Sequence, residues 1–223
     1  MPEKLVTLED LKNREDIKAF IARGDQNMDA IGYTEHGFRH ADLVSDRARH
    51  IMQALARHPR EAELAAMAGY LHDIGNVAAR QDHNLVAVMI AYDVLKEMGM
   101  PPAELAEIMS GVGNHEEPYG EPFGPVAAAV IIADKSDVAR TRVRDIHPSR
   151  YDEHDRVNYA TISSSLTVNH ERTMISLHLE IDTTIAPIME YFELFLQRMV
   201  MARRAALTLG CQFELMINGT KLL

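Results

Sequence analysis

The sequence holds a histidine followed directly by an aspartate, His72-Asp73, near the end of an apolar helical stretch. Other residues with the same side-chain types lie on both sides of this pair. They are His36 and His40 before it, and His83, His115 and Asp134 after it. Imidazole nitrogens and carboxylate oxygens bind first-row divalent metals well, and one ion needs three or four such groups. We therefore predict that the chain folds to gather these groups around metal.

The two aspartates constrain how the groups can converge. His72 and Asp73 are neighbours, so they point about 100° apart on a helix. They can share one ion only near a helix end, or each can face a different ion, and Gly75 indicates such an end. Asp134 follows the apolar run AAAVIIA, where a carboxylate is costly unless it is paired or metal-bound. The alternative is a polar network inside a helical bundle, with Lys135 as the obvious cation for Asp134.

Helical periodicity dominates roughly the first 150 residues, which suits ligands that face the interior of a bundle. One predicted helix stops at Gly24, and another opens at Pro125 and continues past Asp134 to Arg142, into the basic run KSDVARTRVR. The sequence therefore predicts a helical part over residues 1–150 that carries the metal site.

A different pattern follows in the last third of the chain. The segments TISSSLTV and TMISLHLEI alternate with a period of two and predict two strands. A long amphipathic helix begins at about Thr184, and Phe213, Leu215 and Ile217 then alternate as a third strand. The fold class is α+β, with a small two-strand, helix, strand unit over residues 151–223. The boundary is soft, and the two parts can share one core.

Bulk composition narrows the classes of partner. The 223 residues carry a formal net charge of −10, which argues against a binder of nucleic-acid polymers or anionic membranes. Cys211 is the single cysteine, so no internal disulfide can form and a reducing compartment fits. The charged N-terminal stretch is unlike a signal peptide, and the longest apolar run, residues 126–133, is too short to span a bilayer. A cytoplasmic protein is expected.

The order His40, then His72-Asp73 within LHDIGN, then Asp134 on a helical chain resembles the HD superfamily of metal-dependent phosphohydrolases. The resemblance covers roughly residues 37–144 and implies a metal held by those four side chains. Members with two metals add two histidines between the HD pair and the last aspartate, and His83 and His115 fall there. The chain thus resembles the six-ligand subset, in which Asp73 is the natural bridging carboxylate. One or two divalent ions are implied, and Fe, Mn, Ni, Co, Zn and Mg all remain open.

The family chemistry implies attack of metal-activated water on a phosphate ester of a nucleotide or another small metabolite. Lys135, Arg140 and Arg144 are the candidate phosphate-binding cations, and Arg39 is a weaker one. On a helix Arg140 and Arg144 share a face, whereas Arg142 points elsewhere. The alternative is that Arg140 and Arg144 form ordinary surface ion pairs with Asp137 and Asp145.

Catalytic roles are assigned to Asp73, Lys135 and Glu116. Glu116 is a candidate general acid or a partner of His115, with a solvated loop residue as the alternative. Asp137 could orient water or Arg140, and His36 is as well explained as a surface residue.

The sequence is compatible with three functions. Hydrolysis of a phosphate ester leads. Six-ligand HD proteins also resemble di-iron oxygenases, and an HD part can act as a sensor without catalysis. For the C-terminal unit, dimerisation is the leading role, because open strands at a sheet edge invite pairing with a second copy.

Overall fold

A computed structural model describes residues 5–145 and 147–223, so the first four residues of the charged N-terminal stretch lie outside it. The described residues form nine α-helices and one four-stranded sheet, which confirms the α+β class. The helices are α1 (Leu8–Lys12), α2 (Glu15–Ala30), α3 (Phe38–Ala54), α4 (Pro59–Leu71), α5 (His83–Glu97), α6 (Pro102–Gly113), α7 (Pro125–Lys135), α8 (Glu153–Ala160) and α9 (Ile188–Thr208). The strands are β1 (Thr161–Val168), β2 (Met174–Ile181), β3 (Gln212–Ile217) and β4 (Thr220–Lys221). None of the described helices is both long and apolar enough to cross a membrane.

Helices α3, α4 and α7 form the centre of the helical part. Every residue of α7 from Val126 to Lys135 is buried, which follows from a sequence that is apolar on all sides. Helix α4 is buried along Leu64–Leu71, where small alanines let α3 and α7 approach closely. The centre of the bundle is therefore mostly apolar, and polar groups in it need hydrogen-bonding or charged partners.

Two predicted helix ends are wrong. Helix α2 runs through Gly24, whose missing side chain lets the helix lie against the backbone of Asn76 and Val77. Helix α7 ends at Lys135 instead of continuing through the basic run, and a 3-10 turn follows at Arg140–Arg142. In both cases tertiary contacts override a local signal.

The C-terminal unit contains the predicted strands and long helix, together with α8 and β4, which the sequence did not indicate. The sheet order is β1-β2-β3-β4, with β1 antiparallel and β3 parallel to β2. Its inner face is apolar, and the hydrophobic core runs without a break from this face through α9 into the helical part. The division near residue 150 stays a prediction.

Candidate metal centre

The end of α4 explains how two neighbouring residues face one cluster. His72 closes the helix with αR dihedral angles, and the chain leaves the helix at Asp73, where φ is −98° and ψ is 2°. This break turns the Asp73 carboxylate toward the same region as the His72 ring. A 3-10 turn, Ile74–Val77, then carries the chain toward α5.

Four further helices bring the remaining ligand-type side chains to this point. His40 lies in the first turn of α3, His83 opens α5, His115 follows the end of α6, and Asp134 lies in the last turn of α7. Gly75 makes the approach of α5 feasible, because a Cβ at this position would lie 1.9 Å from the carbonyl oxygen of His83.

One side of the cluster, the His40 half-site, contains His40, His72 and Asp134. The Nε2 atoms of His40 and His72 are 3.1 Å apart, and Asp134 Oδ1 is 3.4 Å from His40 Nε2. Asp73 Oδ2 lies 3.6 Å from His40 Nε2 and 3.5 Å from His72 Nε2. Four donor atoms from three helices and one turn thus converge on a small volume.

The other side, the His83 half-site, contains His83 and His115. Their Nε2 atoms are 2.9 Å apart, and Asp73 Oδ1 lies 3.0 Å from His83 Nε2 and 3.5 Å from His115 Nε2. Glu116 Oε2 lies 3.6 Å from His83 Nε2. The two oxygens of Asp73 therefore face different half-sites, as expected of a carboxylate placed to bridge two ions.

The four histidines share one orientation. Each ring places Nδ1 within 2.6 to 3.0 Å of an oxygen outside the cluster. These oxygens are Asp137 Oδ2 for His40 and the carbonyls of Gly69, Arg80 and Val112 for His72, His83 and His115. Because Nδ1 donates its hydrogen outward, we assign the tautomer in which the Nε2 lone pairs face inward.

Inward lone pairs only 2.9 and 3.1 Å apart repel each other unless positive charge lies near them. The donor set is nitrogen and carboxylate oxygen, and three groups of donors have all their atoms within 4.8 Å of one another. Ligand histidines in proteins typically donate their other ring N–H to a carboxylate or a carbonyl, as here. The residues present therefore fit a bound divalent metal.

The electrostatics agree with this fit. Burial lowers the pKa of His72 to about 3, which leaves its ring neutral and able to act as a ligand. Burial opposes the ionisation of Asp73, yet the neighbouring histidines, led by His72, hold its pKa well below its ordinary value. Burial also opposes the charging of His40 and His115, but nearby carboxylates raise the pKa of each ring. The cluster thus attracts positive charge, which a metal ion supplies at neutral pH.

Lys135 does not face an open site. Its side chain is only 2% exposed, and Nζ lies 2.8 Å from Asp134 Oδ2 and 2.7 Å from Glu117 Oε2. Burial disfavours its charge, but these two carboxylates raise its pKa, so it stays an ammonium. Lys135 is placed to neutralise Asp134, a position different from the predicted contact with substrate.

Residues 37–139 match the HD domain family. The chain contains an HD domain. The matched segment spans all six candidate ligands, from His40 to Asp134, and proteins with this domain are commonly metal-dependent phosphohydrolases.

A relative of the chain is the uncharacterized protein MJ1020 of Methanocaldococcus jannaschii. It is 25% identical over 164 residues, which cover 63% of this chain and 62% of the relative. The chain thus spans less than two thirds of that relative's length, and the relative's name states no activity.

The predicted pair of phosphate-binding arginines does not form beside the HD domain cluster. Because α7 ends at Lys135, Arg140 and Arg144 share no helical face. Arg140 lies over the ring of Tyr159 and donates to the Tyr159 carbonyl, and Arg144 forms an ion pair with Asp25. In the part of the chain that the structure describes, neither arginine forms an ion pair with Asp137 or Asp145, so their partners also differ from those of the alternative prediction.

Other cations lie nearer the cluster. Arg80 contacts the His83 ring at 3.0 Å and the Glu116 carboxylate at 3.0 Å, and Arg142 is buried beside Asp137. Together with Arg198 of α9 they line a cavity of about 480 Å³. The basic run of the sequence includes Arg142, but it gives no hint of Arg80 or Arg198, which reach this place only through tertiary packing.

Three further candidate residues, Asp137, His36 and Arg39, also have defined places. Asp137 accepts from His40 Nδ1 at 2.6 Å and from Arg39 at 2.7 Å. His36 packs edge-on against the His40 ring, and burial lowers its pKa well below the ordinary value, so its ring is neutral. Arg39 therefore supports the metal cluster through Asp137, and among the described residues it forms no hydrogen bond or ion pair with the ligand atoms.

Proposed function

We propose that the protein is a metal-dependent phosphohydrolase that cleaves a phosphate ester of a small molecule. The observation that carries the proposal is the convergence of four histidine Nε2 atoms and two carboxylates in an HD domain, with each ring fixed by an outer acceptor. A divalent metal bound there would supply a Lewis acid and lower the pKa of water to near neutrality.

The six residues that would hold the metal are divided between the two half-sites. His40, His72 and Asp134 belong to one, His83 and His115 to the other, and Asp73 offers one oxygen to each. Two ions per chain are the proposed content, and the identity of the metal stays open because these ligands suit several ions.

Glu116 is the proposed proton-transfer group. Its carboxylate lies at the open edge of the His83 half-site, with a side chain that is 32% exposed and held at 3.0 Å by Arg80. A carboxylate in that place can accept a proton from attacking water or return one to the leaving oxygen. The Arg80 contact fixes its orientation before substrate arrives.

The expected substrate is a small phosphorylated molecule, since the cavity beside the cluster measures about 480 Å³ and a nucleic-acid polymer would not suit a chain of net charge −10. We further propose a cytoplasmic homodimer joined through the C-terminal unit, where β1 is an edge strand with Ile162 half exposed. A monomer by light scattering would argue against the dimer.

The test is phosphate release from a panel of phosphate esters in the presence of Mn²⁺, Co²⁺, Ni²⁺, Fe²⁺ or Mg²⁺. Asp73→Ala should lower the rate on the order of 10³-fold or more, because both half-sites lose an oxygen ligand. Asp93→Ala, which removes an exposed carboxylate on α5, is the matched control and should keep the wild-type rate. Full activity of Asp73→Ala would refute the mechanism, and oxygen consumption without phosphate release would favour an oxygenase.

A further inference from the structure

A cavity lies between the HD domain and the helices that follow it. Its HD domain wall includes Arg80 and Glu117, and its opposite wall includes Asn158 of α8 and Phe195 and Arg198 of α9. At about 480 Å³ it has the size of a pocket for a small metabolite. The C-terminal unit therefore contributes directly to the space beside the metal cluster.

Two of the three arginines that line this cavity are already engaged by protein groups. Arg142 is 2% exposed, and its terminal nitrogens donate to the carbonyls of Asp137 and Glu35. Arg80 binds Glu116 through one terminal nitrogen and contacts the His83 ring through the other. Neither has a full pair of free donors for a ligand.

Arg198 differs from both. Its side chain is 25% exposed, its Nε lies 3.3 Å from Glu117 Oε1, and its guanidinium covers the ring of Phe195 at 4.7 Å. Within residues 5–145 and 147–223, neither terminal nitrogen forms a hydrogen bond, and the ion pair with Glu117 is closest through Nε. An arginine that lines a cavity and is held there through Nε and by a ring face is suited to bidentate binding of an oxyanion through its Nη groups.

A chain of ion pairs connects this guanidinium to the metal cluster. Glu117 pairs with Arg198 and, through its other oxygen, with Lys135 at 2.7 Å. Lys135 in turn lies 2.8 Å from Asp134, a candidate metal ligand. Arg198 is therefore fixed relative to the metal cluster although it comes from the other end of the sequence.

We propose that Arg198 binds the phosphate of the substrate, so that α9 completes the active site of the HD domain. The inference rests on the proposed function and adds the substrate pocket to it. The lining of the cavity also includes Asp152 and Asp155, whose carboxylates accept hydrogen bonds. The ligand is therefore a phosphate ester of a small polar molecule that also donates hydrogen bonds.

Inorganic phosphate, a product of the proposed reaction, is the probe for this pocket. Its affinity for the metal-loaded full-length chain is measured by calorimetry, together with metal content and the thermal unfolding midpoint. Arg198→Met should weaken phosphate binding by about 10- to 100-fold, the usual effect of losing a charge-assisted bidentate contact. Arg198→Lys should recover part of the affinity, while metal content stays at the wild-type value.

Two variants separate direct binding from an indirect effect. Arg203→Met removes an exposed arginine from the same helix and should bind phosphate like the wild type. Glu117→Gln removes the ion-pair partner of Arg198 but keeps its guanidinium, so it should not weaken phosphate binding as Arg198→Met does.

Each outcome decides between the two proposals. Wild-type affinity in Arg198→Met, or equal losses in Arg198→Met and Glu117→Gln, would overturn the role of Arg198 and leave the proposed hydrolysis intact. If the metal-loaded wild type releases phosphate from esters but does not bind inorganic phosphate, the proposed phosphate-binding role of the cavity is also refuted. If the wild type hydrolyses no ester but binds phosphate through Arg198, only the proposed function fails.

Discussion

The two half-sites of the metal cluster hold their histidines by different means. His40 donates to the carboxylate of Asp137, which is itself held by Arg39 at 2.7 Å and lies 3.6 Å from Arg142. His83 and His115 instead donate to main-chain carbonyls of the preceding turn. In the His40 half-site, His72 also donates to a carbonyl, that of Gly69, so only His40 depends on a charged side chain that a single mutation can remove. In the His83 half-site both histidines depend on backbone geometry.

This difference predicts unequal metal affinities. A carboxylate behind a ligand histidine increases its basicity more than a neutral carbonyl does, which favours the His40 half-site. The Arg80 guanidinium already brings positive charge within 3.0 Å of His83 Nε2 and competes with a cation there. We therefore expect the His40 half-site to fill first as metal is titrated into the stripped protein.

The largest effect should come from a substitution that disturbs the His83 half-site, whose histidines donate to main-chain carbonyls. In Gly75→Ala the new Cβ would lie 1.9 Å from the His83 carbonyl oxygen and 2.7 Å from the Ala87 nitrogen, so α5 must shift. Overpacking against main-chain atoms should lower the free energy of unfolding by about 3 kcal/mol or more. Urea unfolding measures the stability, and elemental analysis should show loss of metal from the His83 half-site.

Gly99→Ala is the control for Gly75→Ala. A Cβ at Gly99 meets no atom within 4 Å, and the cost comes only from its φ of +79°. This variant should lose about 1 kcal/mol and keep its full metal content. Equal losses in the two variants would show that the close approach of α5 is not what Gly75 provides.

A smaller and more selective effect is expected at the His40 half-site, where a side chain holds the His40 ring. Asp137→Asn keeps the shape but removes the charge behind His40, so metal affinity at the His40 half-site should fall by about 10- to 100-fold. Co²⁺ is titrated into the stripped protein, and its absorption spectrum reports how much metal is bound. In Asp137→Asn one of the two Co²⁺ ions should bind more weakly than in the wild type.

The matched control for Asp137→Asn is Asp46→Asn, which changes an exposed carboxylate on the same helix as His40. Its metal titration should match the wild type. If Asp137→Asn weakens both ions equally, the two half-sites are not independently supported and the comparison fails.

The smallest effect belongs to an ion pair outside both half-sites. Arg60 binds Glu104 through two contacts, and this hydrogen bonding lowers the pKa of Glu104 below its ordinary value of 4.5. A carboxylate with a lowered folded-state pKa adds stability above its unfolded pKa and loses it as pH falls through the folded value. Glu104→Gln should therefore cost about 0.5 to 1 kcal/mol at pH 7.

Urea unfolding at a series of pH values tests this sign. The stability difference between wild type and Glu104→Gln should be constant near neutrality, decrease below pH 4.5 and disappear in stronger acid. Metal content should not change at pH 7. A difference that grows as the pH falls would contradict the assigned role of the pair.

The sequence indicates the ligands of this cluster better than their surroundings. His72, Asp73 and Asp134 are informative because polar side chains beside buried apolar runs need a partner. The break after α4 at His72 could also be expected from Gly75. In contrast, Asp137 looks like an ordinary helical residue until α7 ends at Lys135 and the chain turns toward His40.

The remaining differences between the predicted and the observed structure come from residues that are distant in sequence. Arg198 lies 58 positions after Arg140 in numbering, yet Arg198 lines the cavity and Arg140 packs on Tyr159. Helix α8 is short and mostly polar, so no apolar periodicity marks it. The fold class and the types of ligand can be predicted from local pattern, whereas the pocket depends on how α9 packs against α7.

The most direct test of the two-metal cluster is the metal content of the purified chain by elemental analysis, with protein concentration from amino-acid analysis. The wild type should contain close to two divalent ions per chain, and His115→Ala, which removes a ligand of the His83 half-site alone, close to one. A wild-type value near one that His115→Ala leaves unchanged would contradict the assignment of Asp73 as a bridge between two ions.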